Sequence, residues 1–557
     1  ERIEVLKGPS SMLYGQSSVG GLLSLVSKRP QAEQKNELQL QYGSFDRKQI
    51  AFDSTGPLDD DGTLLYRVVA IQRDSQTQVD HTKDNRLLFM PSLTWRPNEQ
   101  FEWTLMANVQ KDDGGTTSSF LPHRGTVLSA PYGEIGSERF VSEPGFDEYD
   151  TEQKALTSQM AWRVDDTWTL RQNLRWQKSK VSYQSIYGWP PVLGADDRTV
   201  DRVYYVSKPE VTIWSADHQA ESRFDTGPLQ HTALVGVDYR HAVTDSRTAR
   251  GTATPLDLYD PVYGTFDPSG ITLSDVPQQR VAQQGLYVQD QIRLDKWLAT
   301  LGLRKDWADT RVEQGTRQKD DAVTGRVGLT YLFDNGVAPY LSYSESFTPI
   351  IGLDTVTQQS YKPLEGEQWE LGVKYQPVGS NTLLTAAVFD LREKNRQLPN
   401  PANPLSTIQA GEARVKGLEL EGLVEMNRSW DLIGTYTYLD SEVVKGPVAQ
   451  QGKRIASVPE HMASLWSQHR FSIAGIPGFS AGAGVRYVGA SWDGTDSLKT
   501  PSTTLFDAML GYAYQDWSLT LNATNLEDET YYTTCLSRGD CFTGNRRTLT
   551  ATASYSF

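Results

Sequence analysis

The chain has 557 residues, with 54 Lys and Arg against 69 Asp and Glu and a formal net charge of -15. That balance argues against a nucleic-acid partner, whose phosphates require a basic face. Hydrophobic residues make up 38% and aromatics 10%, with 26 Tyr and 14 Trp. Few aliphatics beside many Tyr and Trp suit a polar lumen, a thin apolar outer band and aromatic girdles better than a packed globular core.

The chain opens at Glu1-Arg2-Ile3-Glu4, without Met, a basic n-region or an apolar h-region, and reads as processed or truncated at its start. Residues up to Pro30 are Gly- and Ser-rich with short apolar runs. The change of character near Arg29–Lys35 is the one expected domain boundary, separating residues 1–33 from 34–557. No run of about 18 apolar residues follows, so no transmembrane helix is expected. A barrel strand needs only about 10 alternating residues, which hydropathy averaging hides.

After the boundary the sequence alternates at period two. Ala233, Val235, Val237 and Tyr239 interleave with Thr232, Gly236, Asp238 and Arg240. Val323, Val327, Leu329 and Tyr331 do so with Thr324, Arg326, Gly328 and Thr330, and Ala481, Ala483, Val485 and Tyr487 with Ser480, Gly482, Gly484 and Arg486. The ladder ends on Leu549, Ala551, Ala553, Tyr555 and Phe557 between Thr548, Thr550, Thr552, Ser554 and Ser556. Each run has one apolar and one polar face, as in a half-exposed strand.

Counted from Asn36, about 22 strands are expected, an even number typical of bacterial outer-membrane barrels. Their links alternate. Short ones include Arg96–Asn98, Asp165–Asp166, Gly227–Pro228, Asn335–Gly336, Asn427–Ser429 and Tyr514–Asp516. Long ones include Lys111–Asp150, Tyr187–Ser207, Thr248–Pro277, Pro349–Leu364 and Leu526–Asn545. Short periplasmic turns alternating with long external loops predict an all-β transmembrane antiparallel barrel. A propeller would need blade repeats of about 40–50 residues, and none is seen.

The two cysteines, Cys535 and Cys541, close one short loop-like stretch and suggest a disulfide formed in an oxidising compartment; two free thiols are the alternative. Asp59-Asp60-Asp61-Gly62 reads as a solvated periplasmic hairpin turn, with a calcium turn as the alternative.

Enzymatic constellations are absent. The histidines His81, His123, His218, His231, His241, His461 and His469 form no zinc motif. No catalytic serine elbow stands out. Gly15 to Gly20 has P-loop glycine spacing, but Gly21 stands where the Lys is required. The chain is therefore not expected to be an enzyme, nor to bind a metal or cofactor directly.

The run Glu1-Arg2-Ile3-Glu4-Val5-Leu6-Lys7-Gly8-Pro9-Ser10-Ser11-Met12-Leu13-Tyr14-Gly15, followed by Gly20-Gly21-Leu22-Leu23-Ser24-Leu25-Val26-Ser27-Lys28-Arg29-Pro30, closely resembles the end of the plug in TonB-dependent siderophore receptors. The stretches Pro363–Lys374, Gly411–Gly422 and Asn525–Tyr532 look like the same family, so the resemblance covers essentially the whole chain. The terminal Phe557 is similar to the aromatic end read by barrel-assembly machinery. Cys535 to Phe542 and Ser185-Ile186-Tyr187-Gly188-Trp189 look most like receptors of the ferrichrome and hydroxamate type.

The resemblance implies a monomeric outer-membrane importer of a ferric siderophore in a Gram-negative bacterium, set among lipid and lipopolysaccharide. It also implies drive by the TonB-ExbB-ExbD complex through a TonB box upstream of Glu1. A TonB-dependent receptor for another cargo, such as cobalamin or a glycan, and a passive porin are the alternatives. A siderophore saturates ferric iron with its own ligands, so recognition calls for aromatic faces and hydrogen-bond donors. The candidates are Tyr187, Trp189, Tyr259, Tyr263, Phe347 and Phe542, with Phe120 and Tyr132 in the longest early loop. Loop packing is the competing role for each. Arg240, Arg304, Arg326 and Arg486 point to the lumen by parity; charge pairing there is preferred over ligand guidance.

Overall fold

In the computed structural model, which describes residues 1–354, 356–400 and 403–557, 22 antiparallel strands close into one barrel. The first strand, Lys35–Gly43, pairs with the last, Thr548–Ser556, so no sheet edge is left where they meet. Asn36 and Phe557 exchange backbone hydrogen bonds at 3.2 and 3.0 Å, which fastens the terminal residue into the closure. Closure lets backbone groups pair between strands, as a bilayer core demands.

Period two decides which side chains meet lipid. In the strand Trp297–Val312, Leu301, Leu303 and Trp307 are exposed on the outer face, while Arg304 and Asp306 are buried on the inner one. Trp297–Tyr331 and Tyr331–Phe333 touch at 4.7 and 4.6 Å, and Phe479–Tyr512 and Trp517–Tyr555 at 4.5 and 4.8 Å. These rings sit beside the short turns and form a girdle where the barrel leaves the bilayer.

All the long links lie at the opposite end: 115–147, 258–273, 349–363, 446–460, 489–502 and 525–547. No link at the girdle end exceeds the seven residues of 376–382. Among the described residues, the external links 44–46 and 313–316 are nevertheless short. Two expected loops prove partly strand. Leu229–Asp257 continues to 29 residues and Ser274–Leu294 starts early, which shrinks the Thr248–Pro277 link to 258–273. In place of the Tyr187–Ser207 link, Trp168–Gly188 and Thr199–Ser207 pair with each other, leaving only 189–198 as loop. These segments lack the apolar alternation because they rise above the bilayer, where a two-sided polar ladder is tolerated. Thr199–Ser207 and Glu210–Thr226 form one barrel strand interrupted at Lys208–Pro209, since Pro cannot donate to the ladder.

Asp59–Gly62 is a hairpin turn, in which Asp59 accepts from the Leu64 N–H at 3.0 Å and Gly62 takes φ 64°. Residues 1–34 lie within the barrel as a hairpin, Arg2–Lys7 with Gly21–Val26, around one helical turn, Ser11–Tyr14. Lys7 pairs with Glu419 at 2.9 Å and with Glu421 on the inner wall.

Candidate ligand vestibule

Three segments far apart in sequence meet over the barrel mouth. The hairpin Tyr532–Cys535 with Asp540–Thr543 is pinned by a Cys535–Cys541 disulfide. Its outer edge takes up Leu121–Pro122 from the 115–147 loop as a third strand. This pairing brings Phe120 beside Phe542, with ring centroids 5.3 Å apart. Phe120 also meets Tyr187, at the outer end of Trp168–Gly188, at 5.1 Å. The Arg538 guanidinium lies 5.4 Å over the Phe120 ring. It is held there by a bidentate pair with fully buried Asp540, at 2.8 and 2.9 Å. Three expected aromatics and one unexpected arginine thus form a single cluster. Such a surface offers π-faces and N–H donors, the chemistry that suits a neutral organic shell around a metal.

The other expected residues fall elsewhere. Tyr132 and Tyr259 touch at 5.6 Å, with Arg198 4.7 Å over Tyr132, and the Tyr259 hydroxyl donates to the Gly133 carbonyl. Tyr263 packs on Phe140 and His81 and donates to the Phe140 carbonyl at 2.8 Å. Burial pushes both the Tyr259 and Tyr263 phenols up. These three tyrosines tie loop 115–147 to loop 258–273. Trp189 is half-buried one residue past its strand and donates its backbone N–H to Asp201. Phe347 is only 1% exposed and belongs to the wall behind the N-terminal segment, so it presents no ring face to the mouth.

An inward row escaped the sequence reading. Tyr149 meets Tyr183 at 5.7 Å, and Tyr183 meets Tyr205 at 5.9 Å. Register puts Tyr183 and Tyr187 on the face of Asn173 and Arg175, which line the lumen. Extending that parity outward from Arg175 would have found Tyr183, but Tyr205 lay inside an expected loop.

The frame around the cluster is rigid. Arg202, buried in Thr199–Ser207, pairs with buried Glu143 at 2.6 Å and donates to the carbonyls of Val141, Ser142 and Thr254. Leu121, Ile135, Val141, Val200, Leu256 and Leu258 form one apolar cluster beside it. In loop 525–547, the Arg546 guanidinium at 2.7 Å and the Arg547 N–H hold Asp528 down to about 2. In loop 189–198, the Thr199 hydroxyl and two backbone N–H groups hold Asp196 down to about 2. Both carboxylates act as loop staples.

Inside the lumen, Arg304 pairs with Asp238 at 2.5 Å and Asp306 at 2.7 Å, and Arg486 with Asp507 at 2.5 Å, the charge pairing preferred from sequence. Arg240 lines a cavity of about 500 Å³ between the wall and residues 13–16 and 24–29. Among the described residues, no three His, Cys, Asp or Glu side chains gather so as to hold a metal ion.

A family model described as TonB dependent receptor-like, beta-barrel, matches residues 94–526. The ferrioxamine B receptor of Salmonella typhimurium (strain SL1344) is 35% identical over 571 residues, covering 100% of this chain and 80% of that protein. The ferrichrome outer membrane transporter/phage receptor of Escherichia coli K12 is 35% identical over 592 residues, covering 100% and 79%. The crystal structure of the closed form of the ferric-catecholate import receptor Fiu from E. coli K12 has a TM-score of 0.89 at 22% identity, covering 100% of this chain and 86% of that one. At that identity the likeness speaks for the fold alone.

Proposed function

We infer the function from one premise: the chain belongs to the TonB-dependent receptor family, as the match over residues 94–526 and two relatives at 35% identity over the whole of this chain establish. It is an outer-membrane receptor that imports a ferric siderophore in a TonB-dependent way, and its cargo is of the hydroxamate class. It is a transporter, not an enzyme. The observation that carries the cargo reading is the convergence of Phe120, Tyr187 and Phe542 under Arg538 at the mouth. In this reading the cluster is the outer wall of the capture site, and the Tyr149, Tyr183 and Tyr205 row continues it inward. The siderophore fills the iron's coordination shell, so the protein contributes ring faces and donors and no metal ligand.

Residues 1–33 are read as the tail of the plug and 34–557 as the barrel. TonB, with ExbB and ExbD, is taken to act through a segment upstream of the tail. The receptor works as a monomer whose outer-leaflet neighbour is lipopolysaccharide. Register supports that neighbour: Lys154, Lys178, Arg280 and Arg311 fall on one outward row just above Trp176 and Trp214, where lipid phosphates lie.

Growth of an iron-starved host that carries this receptor as its sole siderophore route tests the reading. Ferrioxamine B or ferrichrome should restore growth in a TonB-dependent manner. Rescue by neither, with uptake of cobalamin or a glycan instead, would overturn it; free solute diffusion into liposomes would point to a porin.

A further inference from the structure

The barrel wall is not fully laddered. Arg317–Tyr331 and Val337–Thr348 pair only from Arg326–Ser344 to Thr330–Tyr340. The flanking ladders run much farther, up to Arg311–Arg317 on one side and Thr348–Leu364 on the other. The outer parts of the two strands, 317–325 and 345–348, therefore face each other across a seam with two unpaired edges.

The missing partners come from elsewhere. The Gly325 N–H donates to the Glu345 carboxylate at 2.8 Å. The Phe347 N–H donates to the Ser11 hydroxyl at 2.9 Å, and the Thr348 hydroxyl donates to the Ser17 carbonyl at 2.8 Å. Ser11 and Ser17 share a further hydrogen bond at 3.0 Å. Ser11, Met12, Ser17, Val19 and Phe347 are all buried. The barrel makes room for them with glycine: a Cβ at Gly302 would strike the Met12 methyl, and one at Gly366 would press on Val19 at 2.6 Å. At the seam the N-terminal segment thus satisfies the Phe347 N–H and the wall's own Glu345 the Gly325 N–H, because buried backbone groups must find partners.

The rest of the segment is held differently. The hairpin and the stretch that follows it are tied to the wall through more exposed groups of their own: Lys7 pairs with Glu419 and Glu421, Lys28 with Asp53, the Arg67 guanidinium donates to the Arg29 carbonyl, and the Gln31 N–H donates to the Thr55 hydroxyl. Gly8 and Gly21, with φ of 72° and 123°, sit at the two joints between hairpin and docked segment. Backbone there can turn without the cost a side chain imposes.

We propose that residues 9–19 are a fixed part of the barrel wall, which stay on the seam through the transport cycle while the plug moves about Gly8 and Gly21. The inference rests on the reading of residues 1–33 as plug. Two cysteine pairs in the full-length receptor test it, Met12→Cys with Gly302→Cys and Ser17→Cys with Thr348→Cys, each joined by a short thiol crosslinker. The native cysteines are already bonded to each other. Uptake of ferrioxamine B should stay within twofold after crosslinking. A tenfold loss that reverses on cleaving the crosslink overturns the proposal.

A second readout holds whatever the cargo. A lone Ser11→Cys thiol should stay shielded from maleimide equally in energised and TonB-deficient cells, whereas Leu23→Cys should label faster in energised ones. Faster labelling at residue 11 on energisation would also overturn it. Failure of even the uncrosslinked receptor to import any ferric hydroxamate would instead sink the cargo reading and leave the labelling result to judge the anchor.

Discussion

Two aromatic regions of this barrel are built from the same residue types at similar spacings and do different work. At the short-turn end, Trp297 and Tyr331 meet at 4.7 Å because their strands are neighbours in register. At the mouth, Phe120 and Tyr187 meet at 5.1 Å although no strand ladder joins them. The girdle is repetitive, so each ring is one of many that anchor the barrel in the interface. The mouth cluster is assembled once, from three separate segments, and depends on the loop frame that holds them. Aromatic content alone therefore does not distinguish anchorage from recognition; where the touching rings sit, beside the short turns or at the mouth, does.

The comparison can be broken hardest at the frame. Arg202→Ala leaves Glu143 buried and unpaired, and removal of one partner of such a pair costs about 3–5 kcal/mol. Loop 115–147 should become protease-sensitive and ferrioxamine B binding should fall by more than tenfold. The barrel itself should keep its resistance to unfolding in SDS. Unchanged loop protection would show that the apolar cluster alone fixes the loop.

A paired substitution sharpens the contrast between the regions. Phe120→Ala removes contacts to Tyr187, Phe542 and Arg538 together and should weaken cargo binding by about 2 kcal/mol, roughly thirtyfold. Tyr331→Leu in the girdle should leave binding unchanged and cost about 1 kcal/mol of barrel stability. Titration calorimetry and urea unfolding on the two variants decide it; equal binding losses would erase the distinction.

The smallest effect is on pH. The Asp528 carboxyl is held at about 2 in the folded loop, below the ordinary value of about 3.9. A depressed folded value means that its stabilisation is complete above about pH 4 and is lost as pH falls toward 2. Hydrogen exchange in loop 525–547 should stay flat from pH 7 to 5 once corrected for intrinsic rate, then rise below 4. Asp528→Asn should abolish that step. A rise already at pH 6 would place the staple elsewhere.

Much of this molecule is legible in its sequence. The strand ladder, its even count and the end at which the long loops gather follow from period-two alternation and turn residues, which are local properties of the chain. The pairing of Cys535 with Cys541 was likewise within reach, because the two lie six residues apart. The loops were harder. Thr248–Pro277 looked like a link because strand above the bilayer has no lipid to enforce alternation.

What tertiary structure alone decided is which side chains meet. Phe120, Tyr187 and Phe542 were three of eight loop aromatics with equal claims, and only the pairing of Leu121–Pro122 with Asp540–Cys541 brought them together. The same packing set Tyr132, Tyr259 and Tyr263 between two loops and placed Phe347 at the seam with Ser11. Periodicity acts over two residues and so is written in the sequence. The vestibule and the seam join residues about 70 to 420 apart, and such contacts follow from the closed barrel, not from any local pattern.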